Sequence, residues 1–135
     1  MTPHLWIGRK LSDREADEAV RMGVTAVLDL TAEFCEATPL LATRYLNVPI
    51  LDLTAPTTEQ LHSCVAFLSE NVAVGTVYVH CKIGYSRTAA VVGAYLLASG
   101  TVSTVDEAVA RLRAVRPSLV VRPEAAAALE RFSRA

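Results

Sequence analysis

Hydrophobic and polar positions along this chain switch repeatedly between the two-residue period of a strand and the 3.6-residue period of a helix. Leu5-Trp6-Ile7-Gly8 reads as a short strand closed by glycine. Ser12-Asp13-Arg14-Glu15 is a capping box, in which a hydroxyl and a carboxylate satisfy two backbone donors reciprocally. The helix it opens stops near Gly23, a residue suited to the left-handed turn at a helix end. Val24 to Leu30 (VTAVLDL) is β-branched and mostly apolar, as a buried strand should be. Arg44 to Ile50 (RYLNVPI) is the next strand, with Pro49 marking its end, and Thr57-Thr58-Glu59-Gln60 caps a helix with Leu61, Val65, Phe67 and Leu68 on one face.

The most strand-like run is Thr76 to His80 (TVYVH), which passes through a glycine-containing loop into Thr88 to Ser99. That second stretch is apolar almost all round, the mark of a central, buried helix, and Gly100 ends it. Thr104-Val105-Asp106-Glu107 is a third capping box, opening a helix through Val115 that Pro117 breaks. Pro123 suits the first position of a last, Ala-rich helix. Strands alternating with helices predict an α/β layer fold around a largely parallel sheet. With no repeat, low-complexity tract or linker, one domain spanning 1–135 is expected.

Composition narrows the function classes. A 52% hydrophobic, 20% charged chain is not disordered, and a net charge of −1 lacks the basic footprint of a nucleic-acid binder. Cys35, Cys64 and Cys81 are an odd, sparse set without CxxC spacing, so neither a disulfide framework nor a metal site is expected. A reducing cytosol is the natural compartment. The N-terminus lacks signal-peptide character, and the longest nearly apolar run, Ala89 to Ala98, is about half of what a bilayer needs. A soluble cytoplasmic protein without a transmembrane segment is expected.

The chemistry concentrates in Val79-His80-Cys81-Lys82-Ile83-Gly84-Tyr85-Ser86-Arg87-Thr88, which runs from a strand, around a tight loop, into a helix N-terminus. Such a turn aims successive backbone N–H groups inward, and the helix dipole adds about half a positive charge there. Cys81 stands at the start of this anion cradle, where the field also favours thiolate over thiol. Arg87 closes it with a flat guanidinium fork that matches a pair of phosphate oxygens, and Gly84 leaves the bowl unobstructed.

His80-Cys81, five residues, then Arg87-Thr88 resembles the HCxxGxxR(S/T) signature of cysteine-dependent protein tyrosine phosphatases. The wider run VHCKIGYSRTAAVVGAYLL looks like the small dual-specificity phosphatases. LWIGR, VLDL, the Asp in NVPILDLTAP and VRPSLVVRP extend the likeness over nearly the whole chain. The resemblance implies a compact three-layer sandwich, a mostly parallel sheet flanked by helices. It also implies a two-step mechanism without metal or organic cofactor. Cys81 would attack phosphorus and form a cysteinyl-phosphate, while the amides of Lys82, Ile83, Gly84, Tyr85, Ser86 and Arg87, with the Arg87 guanidinium, hold the non-bridging oxygens. Thr88 would stabilise the departing thiolate and His80 would orient the loop. Asp52, 29 residues before Cys81, matches the position of the family's general acid, which must protonate the leaving alkoxide. Asp29 is the second candidate acid, though a residue inside the VLDL strand is better placed to brace a strand end.

The expected substrates are phosphotyrosine and phosphoserine or phosphothreonine of proteins, and phosphate-like oxyanions should occupy the cradle. Phospholipid monophosphates are the alternative, because Asp52-Leu53-Thr54-Ala55-Pro56-Thr57 also looks like the acid loop of phosphatidylglycerophosphate phosphatases. Against a polyphosphoinositide, Lys82 is the one basic residue between Cys81 and Arg87. A rhodanese-type sulfur transferase places cysteine on a similar junction but commonly with a loop one residue shorter. A silent phosphobinding module would typically lack the cysteine, the arginine or the acid. Glu33 and Phe34 follow a strand and are candidate pocket walls, and Cys35 is expected as an unpaired loop thiol at the pocket rim, the resemblance offering as its alternative the reversible bond that a second cysteine makes to the nucleophile in some relatives. Cys64 is expected in the core, His62 in solvent, and Arg111, Arg113, Arg116 and Arg122 on the surface, the last two near enough to guide an anion.

Overall fold

Four parallel strands, β1 (Leu5–Arg9), β2 (Val24–Thr31), β3 (Arg44–Ile50) and β4 (Thr76–Cys81), form one sheet in the order β1-β4-β2-β3 in the computed structural model. The structure describes residues 4–31, 43–50, 54–81 and 86–134. Parallel pairing puts the last residues of all four strands along one edge, which is where open α/β sheets bind ligands.

Helix α1 (Asp13–Arg21) covers one face of the sheet and packs Ala16 and Ala19 against Val24, Val27 and Tyr78. On the other face lie α2 (Thr58–Val72), α3 (Ser86–Ala98), α4 (Val105–Val115) and α5 (Pro123–Arg134). That side holds the larger core, including Leu28, Leu30, Val77, Val79, Leu61 and Leu129. These are the three layers the resemblance implies. Helix α3 is buried nearly all round, so it is the central helix, and it begins two residues before the predicted Thr88. Among the described residues, no helix is long and apolar enough to cross a membrane.

Local chemistry explains the element ends. Ser12 and Thr57 form complete capping boxes with Glu15 and Gln60. Gly23 and Gly100 take positive φ, 111° and 76°, where they turn the chain out of helices. The third box departs from expectation. Thr104 does accept the Glu107 N–H at 3.1 Å, but the Glu107 carboxylate takes the N–H of Ser103, at 3.4 Å. Thr104 has φ −131°, against −69° and −74° at the two complete boxes, and this rotates its own N–H away from the glutamate.

Candidate active site

Alternation along β4 decides which way its side chains point. Val77, Val79 and Cys81 face the large core under α3, whereas Tyr78 faces α1. Cys81 is the last residue of the central strand and is 1% exposed. The next described residue, Ser86, already starts α3, so Arg87 and Thr88 lie in the first helical turn, where N–H groups have no intrahelical partner. These are the strand and the helix that the sequence reading puts on either side of the cradle. Lys82, Ile83, Gly84 and Tyr85 fall outside the described residues.

The flanks of the loop converge. The Thr88 hydroxyl donates to Cys81 Sγ at 3.1 Å, within a buried environment. Such a donor stabilises negative charge on sulfur. Arg87, 4% exposed, donates from Nη1 to the Ile50 carbonyl at 2.7 Å. A guanidinium is a rigid planar fork, so this bond to backbone fixes the position of the whole group at the helix entrance. Ile50 ends β3, two residues before Asp52, so the bond ties the helix entrance to the strand that leads to the candidate acid. Asp52 itself lies outside the described residues, as do Glu33, Phe34 and Cys35. Ser86 Oγ accepts the backbone N–H of Arg122 at 3.2 Å, which docks the start of α5 beside the cradle.

The second candidate acid is not in the site. Asp29 sits on the α1 face of the sheet, opposite Cys81, and is 1% exposed. Thr31 and Tyr45 donate to its carboxylate, and His80 is its neighbour on β4. It braces the end of β2, as its position in VLDL suggested. Sequence reasoning missed Tyr45 and Asn47 as members of this cluster. Their spacing by two on β3, polar positions aligned on one face, was the available signal.

The placements expected for Cys64, His62, Arg111 and Arg113 hold, whereas Arg116 is tied to the backbone of β1. Cys64 is buried in the core, where loss of solvation pushes its thiol up to about 12. His62 is exposed, its ring 4.9 Å from that of Phe132. Arg111 and Arg113 are exposed, while Arg116 is half-buried and donates to the Ile7 carbonyl at 3.0 Å.

Comparison with known proteins agrees with this geometry. The family model of the dual specificity phosphatase catalytic domain matches residues 5–135. The chain is 29% identical over 138 residues to phosphatidylglycerophosphate phosphatase PTPMT2 of Arabidopsis thaliana, covering 97% of this chain and 60% of that protein. It is 34% identical over 125 residues to dual specificity protein phosphatase 12 of Mus musculus, covering 88% of this chain and 36% of that one. The chain thus spans less than two thirds of the length of either curated relative. Among solved structures, Tk-PTP in its active form superposes with a TM-score of 0.89 at 28% identity, over 98% of this chain and 93% of its own.

Proposed function

We propose, for a chain that belongs to the dual specificity phosphatase catalytic-domain family, that it hydrolyses phosphomonoesters through a cysteinyl-phosphate on Cys81. The observation that carries this reading is the Thr88 hydroxyl 3.1 Å from Cys81 Sγ at the mouth of α3. Cys81 attacks phosphorus as a thiolate, and the leaving oxygen departs with a proton from Asp52. Arg87 and the loop amides from Lys82 to Arg87 stabilise the charge spread over the three equatorial oxygens. Water then cleaves the cysteinyl-phosphate, with the Thr88 hydroxyl stabilising the thiolate as it leaves. No step calls for a metal or an organic cofactor. A reducing, cytosolic setting belongs to the same proposal, since the thiolate must stay unoxidised to act.

The substrate assigned first is phosphotyrosine and phosphoserine or phosphothreonine of proteins, which fits the names of the family model and of the mouse relative. A phospholipid monophosphate is the second reading. It is favoured by the name of the Arabidopsis relative, to which nearly the whole chain aligns.

One panel tests both. Wild type and Cys81→Ser are assayed for phosphate release from an aryl phosphate, phosphotyrosine and phosphothreonine peptides, and phosphatidylglycerophosphate in micelles. Turnover by wild type and none by Cys81→Ser is expected, and the substrate with the highest kcat/KM decides between protein and lipid. Full activity in Cys81→Ser would overturn the covalent mechanism. No turnover by pure, reduced wild type would favour a phosphobinding module.

A further inference from the structure

On the face of the sheet opposite Cys81, the parallel pairing of β2 with β4 sets Asp29 beside His80 as register partners. Their side chains are each 1% exposed, and His80 Nε2 lies 3.8 Å from Asp29 Oδ1. The carboxylate is held from several sides. Oδ1 accepts the Thr31 N–H at 2.9 Å and the Thr31 hydroxyl at 2.6 Å, and Oδ2 accepts the Tyr45 hydroxyl. Asn47 Nδ2 donates to the carbonyls of Asp29 and Thr31, at 3.0 and 2.9 Å, across the register shift between β2 and β3. The imidazole stacks on Tyr78, ring centroids 5.7 Å apart. Helix α1 turns Ala16 and Ala19 inward, with Asp13, Arg14 and Glu18 at the surface and the half-buried Glu15 and Asp17 paired with Arg9 and Arg21.

Moving a carboxylate out of water is costly, and a buried ion pair is weak evidence of stabilisation. Bracing the end of β2 accounts for the bonds from Thr31 and Tyr45. The approach to His80 is a further contact, and it leads toward the reactive loop. Asp29 touches His80, and His80 is peptide-bonded to Cys81.

We propose that Asp29 is a positioning residue for Cys81, acting through His80. The proposal rests on the reading of Cys81 as nucleophile. At 3.8 Å the carboxylate is an electrostatic neighbour of the imidazole edge, and it favours the ring orientation that turns Nε2 toward it. The fixed ring, clamped between Asp29 and Tyr78, holds the backbone at the point where β4 becomes the phosphate loop. Asp29 thereby influences the thiol from across the sheet, without reaching substrate or the reacting atoms.

The test is a double-mutant cycle of Asp29→Asn and His80→Asn in the full chain. It is read on kcat and KM for an aryl phosphate, and on the rate at which iodoacetamide alkylates Cys81, followed by mass spectrometry of the Cys81 peptide. Asp29→Asn is nearly isosteric; it removes the charge and turns one acceptor oxygen into a donor. It should lower kcat roughly tenfold with KM nearly unchanged, slow Cys81 alkylation, and add nothing in the His80→Asn background, as coupled neighbours do. Losses that simply add would overturn the proposal, as would a folded Asp29→Asn variant with wild-type kcat and alkylation rate. Should Asp29→Asn fail to fold, Tyr45→Phe loosens the carboxylate while keeping its charge. An effect of Tyr45→Phe on alkylation that vanishes in the His80→Asn background supports the proposal, and one that persists there overturns it. Alkylation requires no turnover. A wild type that hydrolyses no phosphate ester defeats the phosphatase reading, while the alkylation cycle still decides the coupling of Asp29 to Cys81.

Discussion

Cys64 and Cys81 are equally hidden from solvent, at 0% and 1% exposure, yet they occupy opposite chemical settings. Cys64 projects from α2 into the aliphatic core, where the thiol is pushed up to about 12 and stays neutral at any physiological pH. Cys81 ends a strand instead, faces the first turn of α3 and receives the Thr88 hydroxyl. Burial among hydrocarbon groups makes a sulfur inert. Burial against a hydroxyl donor and the N-terminal end of a helix makes a place for negative charge. The two cysteines therefore separate desolvation from preorganisation within one molecule.

Exchanging Cys81 for serine is the most drastic way to break this contrast, and the next largest effect is expected at Asp52. Asp52→Ala should lower kcat by roughly 10²–10⁴ on alkyl phosphates. It should cost much less on aryl phosphates, whose good leaving groups need little protonation. A uniform loss across a leaving-group series would remove Asp52 from the role of acid.

Thr88→Ala sharpens the comparison, because it takes the donor from Cys81 and leaves the burial. The loss of one hydrogen bond to a charged group should slow thiolate departure roughly ten- to a hundredfold. Stopped-flow of an aryl phosphate should then show a burst of phenol followed by a slow steady state. Equal slowing of burst and steady state would mean that Thr88 serves attack as much as departure.

Cys64→Ala should leave kcat/KM unchanged and lower stability by about 1 kcal/mol, as measured by urea unfolding. A pH effect goes with it. The folded Cys64 thiol holds its proton up to about 12, whereas an ordinary thiol releases it near 9.0. The unfolded chain then binds fewer protons in that window, so this contribution to stability is fully present below pH 9 and is lost as pH rises toward 12. Unfolding midpoints at pH 8 and pH 10.5 should differ less in Cys64→Ala than in wild type.

What was legible in the chain was whatever chemistry is local. Capping at Ser12 and Thr57, the turns at Gly23 and Gly100, and Pro123 at a helix start all involve neighbours a few residues apart. The meeting of Cys81 with Thr88 belongs to the same class, because only four residues separate the end of β4 from the start of α3 and leave little freedom in where the helix begins. Even there, one backbone angle at Thr104 moved the return bond of a capping box by a residue. Contacts set by sheet order were out of reach. Nothing in the hydrophobic pattern says that β4 lies beside β2, so the approach of His80 to Asp29, 51 positions earlier, was not readable. The bond from Arg87 to the Ile50 carbonyl spans 37 positions and depends on the same order.

The order β1-β4-β2-β3 has a consequence for how the molecule comes into being. The last strand made is inserted between the first two, so a growing chain that has finished β3 still has a gap at the centre of its sheet. Pairings of this kind close long loops and form late in folding. The reactive sulfur lies at the tip of that keystone strand, and its hydroxyl partner follows in the next helix. A ribosome-bound chain that lacks residues 76–88 has neither, which means that the reactive pair and the closing of the sheet arrive in one event during synthesis.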